Sequence, residues 1–182
     1  MKIIQKYFLA LIPPLEIMEK AEEIKIRIRD EFGIKYALKS PPHITLKMPF
    51  NFSEAKEGKL IGLLGEQLKD QASFSVKISG VGTFGNRVIF LRIEESAKLR
   101  QLQEKLKLFC KKELHLIDEL SDRNFHPHLT VAFKDLKSSH FPEVLARVRQ
   151  MAFEAEFSTA DLVLLKRQEG KWIVHRKVTF GG

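Results

Sequence analysis

One pattern of residue types occurs twice in the chain and constrains it more than any other feature. His43-Ile44-Thr45-Leu46 and His128-Leu129-Thr130-Val131 share type and spacing, and each is preceded by proline, Pro42 and Pro127. On an extended strand, residues i and i+2 point to the same face. His43 and Thr45 therefore project side by side while Ile44 and Leu46 turn to the core, and the second copy does the same. Two imidazoles and two hydroxyls from separate strands are suited to converge on a single anion. A fold that brings two distant strands to one place is the first requirement.

The remaining patterning supplies such a fold. Residues 3–12 form an apolar run that reads as a buried strand, ended by Pro13-Pro14. Ile17, Ala21, Ile24, Ile28 and Phe32 then recur at helical spacing up to Gly33, with Lys25, Arg27 and Arg29 read as its solvated face. The prolines at 41 and 42 stiffen the entry to the first histidine strand, residues 43–48. A helix over about 54–69 follows, with Asn51 or Ser53 as its cap and Leu60, Leu64 and Leu68 as its stripe. Residues 74–84 and 87–93 read as a hairpin around Gly85-Asn86, with Gly80 and Gly82 marking a bulge or a close backbone approach. A basic helix spans about 96–114, carrying Lys105, Lys107, Lys111 and Lys112 either as a solvated face or as a surface that steers RNA. Residues 115–127 read as irregular. The second histidine strand (128–133), a helix (140–150), strands at 153–158 and 161–167, and a last strand from Trp172 to Phe180 complete the chain.

After each His-x-Thr comes a helix, then a strand, then a hairpin partner. This repeat suggests an α+β fold of two pseudo-symmetric lobes, each an antiparallel sheet with flanking helices, around a central cleft. Residues 1–182 form one bilobal domain on this reading, with the motifs at 43 and 128 opening the repeats.

Charge and cysteine content narrow the function. With 31 basic and 23 acidic residues the net charge is +8, which favours anionic partners such as RNA or a phosphorylated small molecule. The one cysteine, Cys110, cannot form an internal disulfide, and the segment from Met1 to Tyr7 lacks the apolar centre of a leader peptide. A cytoplasmic setting, no membrane association and a monomeric state are the expectations.

On these residues the chain resembles the 2H phosphoesterase superfamily, in particular its 2′-5′ RNA ligase-like and cyclic phosphodiesterase branch. That family carries two H-x-[ST]-hydrophobic motifs in two pseudo-symmetric lobes, and both tetrapeptides match. Gly82-Thr83-Phe84 with Val88-Ile89-Phe90-Leu91 is similar to its middle hairpin. Two departures stand out. Many relatives follow the second motif with alanine and arginine, where this chain has Ala132-Phe133-Lys134. The first motif continues as Lys47-Met48-Pro49-Phe50 rather than Phe-Leu-Gly.

The resemblance implies hydrolysis of 2′,3′-cyclic phosphates on nucleotides or RNA ends, or the making and breaking of 2′-5′ linkages, without a metal or cofactor. The residue types suit it. Opening a cyclic phosphodiester needs a base to activate water and an acid for the leaving oxygen, and an imidazole with an ordinary pKa of roughly 6.5 serves as either. His43 and His128 take the catalytic roles. Thr45 and Thr130 bind phosphate through their hydroxyls, where charge develops. Lys47, Phe84, Phe133 and Lys134 are the candidates for holding the rest of the substrate, although Phe84 and Phe133 also suit a core, as does Trp172. Two other readings remain open: a non-catalytic module on the same fold that holds RNA or a phospho-ligand, and a metal site at His126-x-His128. His115, His140 and His175 lack a motif and read as surface or structural.

Overall fold

The computed structural model describes residues 3–182; Met1 and Lys2, where the leader reading begins, lie outside the described residues. The chain runs β1 (Ile4–Leu11), α1 (Leu15–Phe32), β2 (Ile44–Ser53), α2 (Glu57–Leu68), β3 (Phe74–Phe84), β4 (Val88–Ile93), α3 (Ala97–Glu113), α4 (Leu120–Arg123), β5 (His128–Ala132), α5 (Phe141–Gln150), β6 (Glu154–Thr159), β7 (Asp161–Gln168) and β8 (Lys171–Thr179). Two antiparallel four-stranded sheets result, in the orders β2-β1-β7-β8 and β5-β4-β3-β6. The α+β fold therefore has two lobes, and each histidine strand is the edge strand of its own sheet, facing the other.

The symmetry is not the one read after the motifs. The strand that follows the first motif, β3, pairs with β4 and β6 in the second sheet, while β6 and β7 belong to different sheets. The true repeat precedes each motif: strand, long helix, histidine strand, as β1-α1-β2 and β4-α3-β5. The hairpin read over 74–93 is present as β3-β4, but its counterpart after the second motif is not, because β6 returns to β3 and β7 to β1. The long helices are exchanged across the lobes. α1 packs on β5 and α3 on β2, so each histidine strand is backed by the helix of the other half. One hydrophobic cluster runs through both sheets, including Ile24, Leu46, Leu64, Ile89, Leu106 and Val131. Burial of this apolar surface, about 25 cal/mol per Å², fixes the two edge strands relative to each other.

Several local readings change. β2 continues through Pro49 to Ser53 instead of ending at Met48, because an edge strand tolerates a residue without an N–H on its open side. No side chain among the described residues caps α2; a short 3₁₀ turn, Glu54–Lys56, leads into it. Ser96 does cap α3, accepting from the Leu99 N–H at 3.1 Å. The segment read as irregular contains the four-residue helix α4, closed by a capping box between Glu119 and Asp122. Gly80, at φ 83°, lies at a register shift in β3, and a Cβ on Gly82 would collide with the Phe90 ring. The two glycines thus serve a bulge and a close approach respectively.

Lys25 is a further correction. It is buried, not solvated, and donates from Nζ to the carbonyls of Ala37 at 3.1 Å and Ser40 at 2.8 Å, with Glu22 at 3.4 Å. It lies inside the Ala21-Ile24-Ile28 stripe, where a lysine survives only by satisfying its charge locally.

Lys47 is likewise buried, ion-paired with Asp122 and donating to the Ile117 carbonyl at 2.9 Å. Asp122 also accepts from the N–H groups of Met48 at 2.8 Å and Glu119 at 2.9 Å. Removing one partner of such a buried pair leaves an uncompensated charge, at a cost of about 3–5 kcal/mol. Lys47→Met is therefore expected to lower unfolding stability by that order in a urea titration; an unchanged midpoint would contradict the pairing.

Candidate active site

The local chain path of each motif is a consequence of three residues, X-Pro-His. A proline disfavours helical backbone in the residue before it, so Pro41 and His126 are held extended. Each then presents its carbonyl to the imidazole two residues on. His43 Nδ1 lies 2.7 Å from the Pro41 oxygen, and His128 Nδ1 lies 2.7 Å from the His126 oxygen. A carbonyl only accepts, so both Nδ1 atoms carry the proton and both Nε2 atoms are left as acceptors.

A second matched feature follows each threonine. Ala10 pairs with Thr45 but Leu9 with Lys47, so Leu46 is an extra residue in β2. Phe90 pairs with Thr130 but Ile89 with Ala132, so Val131 is an extra residue in β5. A bulge inverts the alternation of whatever comes after it. The histidine and threonine keep one face, and the residue beyond turns to the other. This is why Lys47 fails as a substrate contact: strict alternation would aim it with His43 and Thr45, and the bulge at Leu46 sends it to Asp122 in the core.

His43, Thr45, His128 and Thr130 all line one cavity of about 570 Å³. Phe84, Phe133 and Lys134 line it too, while Lys47 does not. Phe84 is 40% exposed, with its ring centroid 4.9 Å from His128 and 4.5 Å from Phe90. It is a wall of the site rather than core. Phe133 stands edge-on to Tyr36 at 5.1 Å. Trp172, read as core, is half-buried and lines the same cavity, edge-on to Phe8 at 4.8 Å, and Phe8 is 4.9 Å from His43. A smaller cavity of about 250 Å³ adjoins it on the Phe84 and His128 side, walled also by Phe125 and Asn124.

Sequence reasoning missed Phe8, Tyr36, Arg167 and Trp172 as wall residues. Alternation along β1 carried a signal for the first. Tyr7, Leu9 and Leu11 join the main core, whereas Phe8 and Ala10 belong to a separate small cluster with Val163 and Leu165. The four lysines singled out on α3 line neither cavity.

Burial pushes the His43 pKa down to about 4, with Lys25 and His128 adding to the effect against the opposing Pro41 hydrogen bond. His128 is lowered as well, chiefly by desolvation. Both imidazoles are therefore mainly neutral at pH 7. The rings of His126 and His128 are 6.5 Å apart, and no group of three or more His, Cys, Asp or Glu among the described residues is placed to hold a metal ion. His175 Nε2 donates to the Glu57 carboxylate at 2.6 Å, away from the cavity, with Tyr7 donating to the same carboxylate at 2.8 Å.

Phe90 supports His128 with ring centroids 5.2 Å apart, and Gly82 makes room for that ring. Gly82→Ala is expected to displace Phe90 and shift the imidazole NMR signals of His128 while leaving those of His43 in place. Equal shifts at both histidines would contradict this support.

Comparison with known proteins agrees with the geometry. A model of the 2′-5′ RNA ligase superfamily matches residues 13–171. A “Putative phosphoesterase” of Bacillus mycoides (strain KBAB4) is 29% identical over 97% of each chain, and one of Bacillus cytotoxicus is 30% identical over the same shares. Among solved structures, TT0787 of Thermus thermophilus has a TM-score of 0.68 at 20% identity, covering 97% of this chain and 98% of its own. E. coli LigT complexed with 3′-AMP has a TM-score of 0.64 at 17% identity, covering 98% and 99%. At these identities the two structures speak for the fold.

Proposed function

The chain belongs to the 2′-5′ RNA ligase superfamily, and from that premise we propose that it is a metal-independent phosphoesterase that opens 2′,3′-cyclic phosphates of nucleotides or RNA ends. The observation that supports this reading is the pair of Nδ1-anchored imidazoles facing one cavity with two threonines. A pure binder has no need of two matched proton carriers.

In the proposed reaction the cyclic phosphate lies between the histidines. His43, the more depressed and with the Lys25 charge among its causes, remains neutral and takes the proton from water at Nε2. Water attacks phosphorus, and the bond to one ribose oxygen breaks on the opposite side. His128, protonated at Nε2 when the anion arrives, gives that proton to the departing oxygen. The Thr45 and Thr130 hydroxyls donate to the non-bridging oxygens as their charge grows. The product is a ribose phosphomonoester; a ribose hydroxyl attacking phosphorus in place of water, with the same proton transfers, opens the ring to a phosphodiester instead, which is the ligase direction. A soluble, monomeric, cytoplasmic RNA-end processor is the setting we attach to this reading.

The deciding experiment incubates the protein, in strong chelator, with 2′,3′-cyclic nucleotides, a cyclic-phosphate-ended RNA and 2′-5′ dinucleotides. Turnover is expected to persist, and His43→Ala and His128→Ala each to lose about 10²–10⁴-fold, the typical worth of one proton-transfer group. The double variant should lose less than the product of the single losses. Parental rates in both single variants would refute the assignment; tight binding without turnover would favour the binding module.

A pH dependence follows from the depressed histidines. The free site holds neutral imidazoles at pH 7, and a bound anion raises their pKa towards or above the ordinary value. Binding must then take up protons. Inorganic sulfate, which does not titrate near neutrality, is expected to bind more tightly as pH falls from 8 to 6. Calorimetry in buffers of different ionisation heat should report net uptake; buffer-independent heat would contradict it.

A further inference from the structure

The cavity continues past the histidines into a bay lined by Lys6, Lys39, Lys134 and Arg167, and no acidic side chain among the described residues lines it. None of the four is ion-paired among the described residues. This contrasts with the buried lysines 25, 47 and 166, each matched with carbonyl or carboxylate oxygens. Unpaired cations sharing one concave wall repel each other, and only an anion relieves that repulsion.

Tyr36 organises the bay. Lys134 donates to its hydroxyl at 2.9 Å and stands 4.5 Å from its ring centroid, and Lys39 lies 4.7 Å from the same centroid. Arg167 lies over the Trp172 ring at 5.3 Å, which meets Phe8, which meets His43. The bay is thus connected to the catalytic pair by successive aromatic contacts. Its parts come from both lobes, and they are fixed. Asp135 accepts from the N–H groups of Lys35 at 2.8 Å and Tyr36 at 2.9 Å, clamping the turn of one lobe to the chain leaving β5. Lys134 is held at φ 57°, a left-handed conformation that a lysine adopts only when its surroundings impose it.

We propose that this bay is a second phosphate subsite, so that the substrate carries a phosphate on the 5′ side of the nucleoside bearing the cyclic phosphate. The inference rests on the function proposed above and deepens it. Arg167 supplies a guanidinium fork, and Lys39 and Lys134 supply point charges. The second phosphate is either a diester in a polynucleotide or a terminal monoester, and both present the same oxygens. The Tyr36 hydroxyl accepts from Lys134, and its pKa is lowered by that hydrogen bond and further by Arg167.

The test has a turnover arm and a binding arm. Turnover compares adenosine 2′,3′-cyclic phosphate, its 5′-phosphorylated form, and the dinucleotide ApA ending in a cyclic phosphate. Binding compares adenosine 3′-monophosphate with adenosine 3′,5′-bisphosphate by calorimetry. The wild-type chain is expected to prefer the second phosphate about tenfold in kcat/KM and in Kd, the equivalent of one charge-assisted hydrogen bond. Arg167→Gln with Lys39→Gln, in a chain shown to be folded by circular dichroism, should abolish most of that ratio. A larger preference for the dinucleotide identifies a chain phosphate, and a larger one for the 5′-phosphorylated mononucleotide a terminal one. Equal values for one and two phosphates, or a preference kept in the double variant, would overturn the subsite. A binding preference without turnover of any cyclic phosphate would keep the subsite and sink the proposed reaction; turnover without preference would do the reverse.

Discussion

Everything in the cleft depends on a carbonyl two residues before a histidine. A proline between them forces the carbonyl-bearing residue into extended backbone, and the carbonyl fixes both the rotamer and the tautomer of the imidazole. A histidine on a strand otherwise presents either nitrogen to its surroundings. Here Nδ1 is committed, and Nε2 is the only atom left to meet a ligand. The bulge after each threonine completes the unit. It lets the strand offer two polar groups to the cleft and then turn the next residue, Lys47 in β2 and Ala132 in β5, to the interior.

Such a unit needs a rigid base, and the exchanged helices supply it. α1 lies behind β5 and α3 behind β2, so neither edge strand is packed only by its own half. Each long helix also contributes one buried polar side chain to the chain entering a histidine strand. Lys25 holds the carbonyls of Ala37 and Ser40 ahead of His43, and Gln103 donates at 3.0 Å to the Asp122 carbonyl ahead of His128. The segments that precede the motifs are a 3₁₀ turn at Tyr36–Lys39 and the short helix α4 with the irregular chain around them, whose backbone groups no sheet satisfies. Leaving these carbonyls unpaired in the interior would cost roughly 1–3 kcal/mol each. The same bonds that satisfy them also position the histidine ends of the strands.

The legible part of the design was carried by residue type, and the illegible part by geometry that leaves no mark on type. Two Pro-His-x-Thr copies announce two equivalent strands, and hydrophobic periodicity finds nearly every helix and strand. A bulge, by contrast, inserts a residue that looks like its neighbours. Leu46 is apolar and buried on either register, so nothing in Thr45-Leu46-Lys47 says that Lys47 turns away. Lys25 did carry a signal. Positions 21, 24, 25 and 28 fall on one side of a 3.6-residue helix, and a charge in the middle of such a stripe is either misplaced or paired. Tyr36, Arg167 and Trp172 come from three separate elements and meet only because β7 and β8 join the sheet that β1 and β2 begin. No local pattern encodes that meeting.

The electrostatics of the cleft follow from dividing the cations into two classes. Lys25, Lys47 and Lys166 are buried and saturated by oxygens, so they shape the chain rather than attract a ligand. Lys6, Lys39, Lys134 and Arg167 are not saturated, and their field acts on the same space as the histidines. Burial first opposes protonation of both imidazoles, with Lys25 and His128 adding to it at His43 and His126 at His128. In the proposed reaction this has a direct consequence. The empty site holds two bases and no acid. An arriving phosphate cancels part of the positive field and supplies an acceptor for a histidine N–H, and so makes one imidazole worth protonating. Because His43 is held down first by burial and further by Lys25, the proposed reaction puts the proton on His128. In that reaction the substrate's own charge creates the acid that its leaving oxygen requires, and the asymmetry between two otherwise matched motifs comes first from the deeper burial of His43, with Lys25 adding to it.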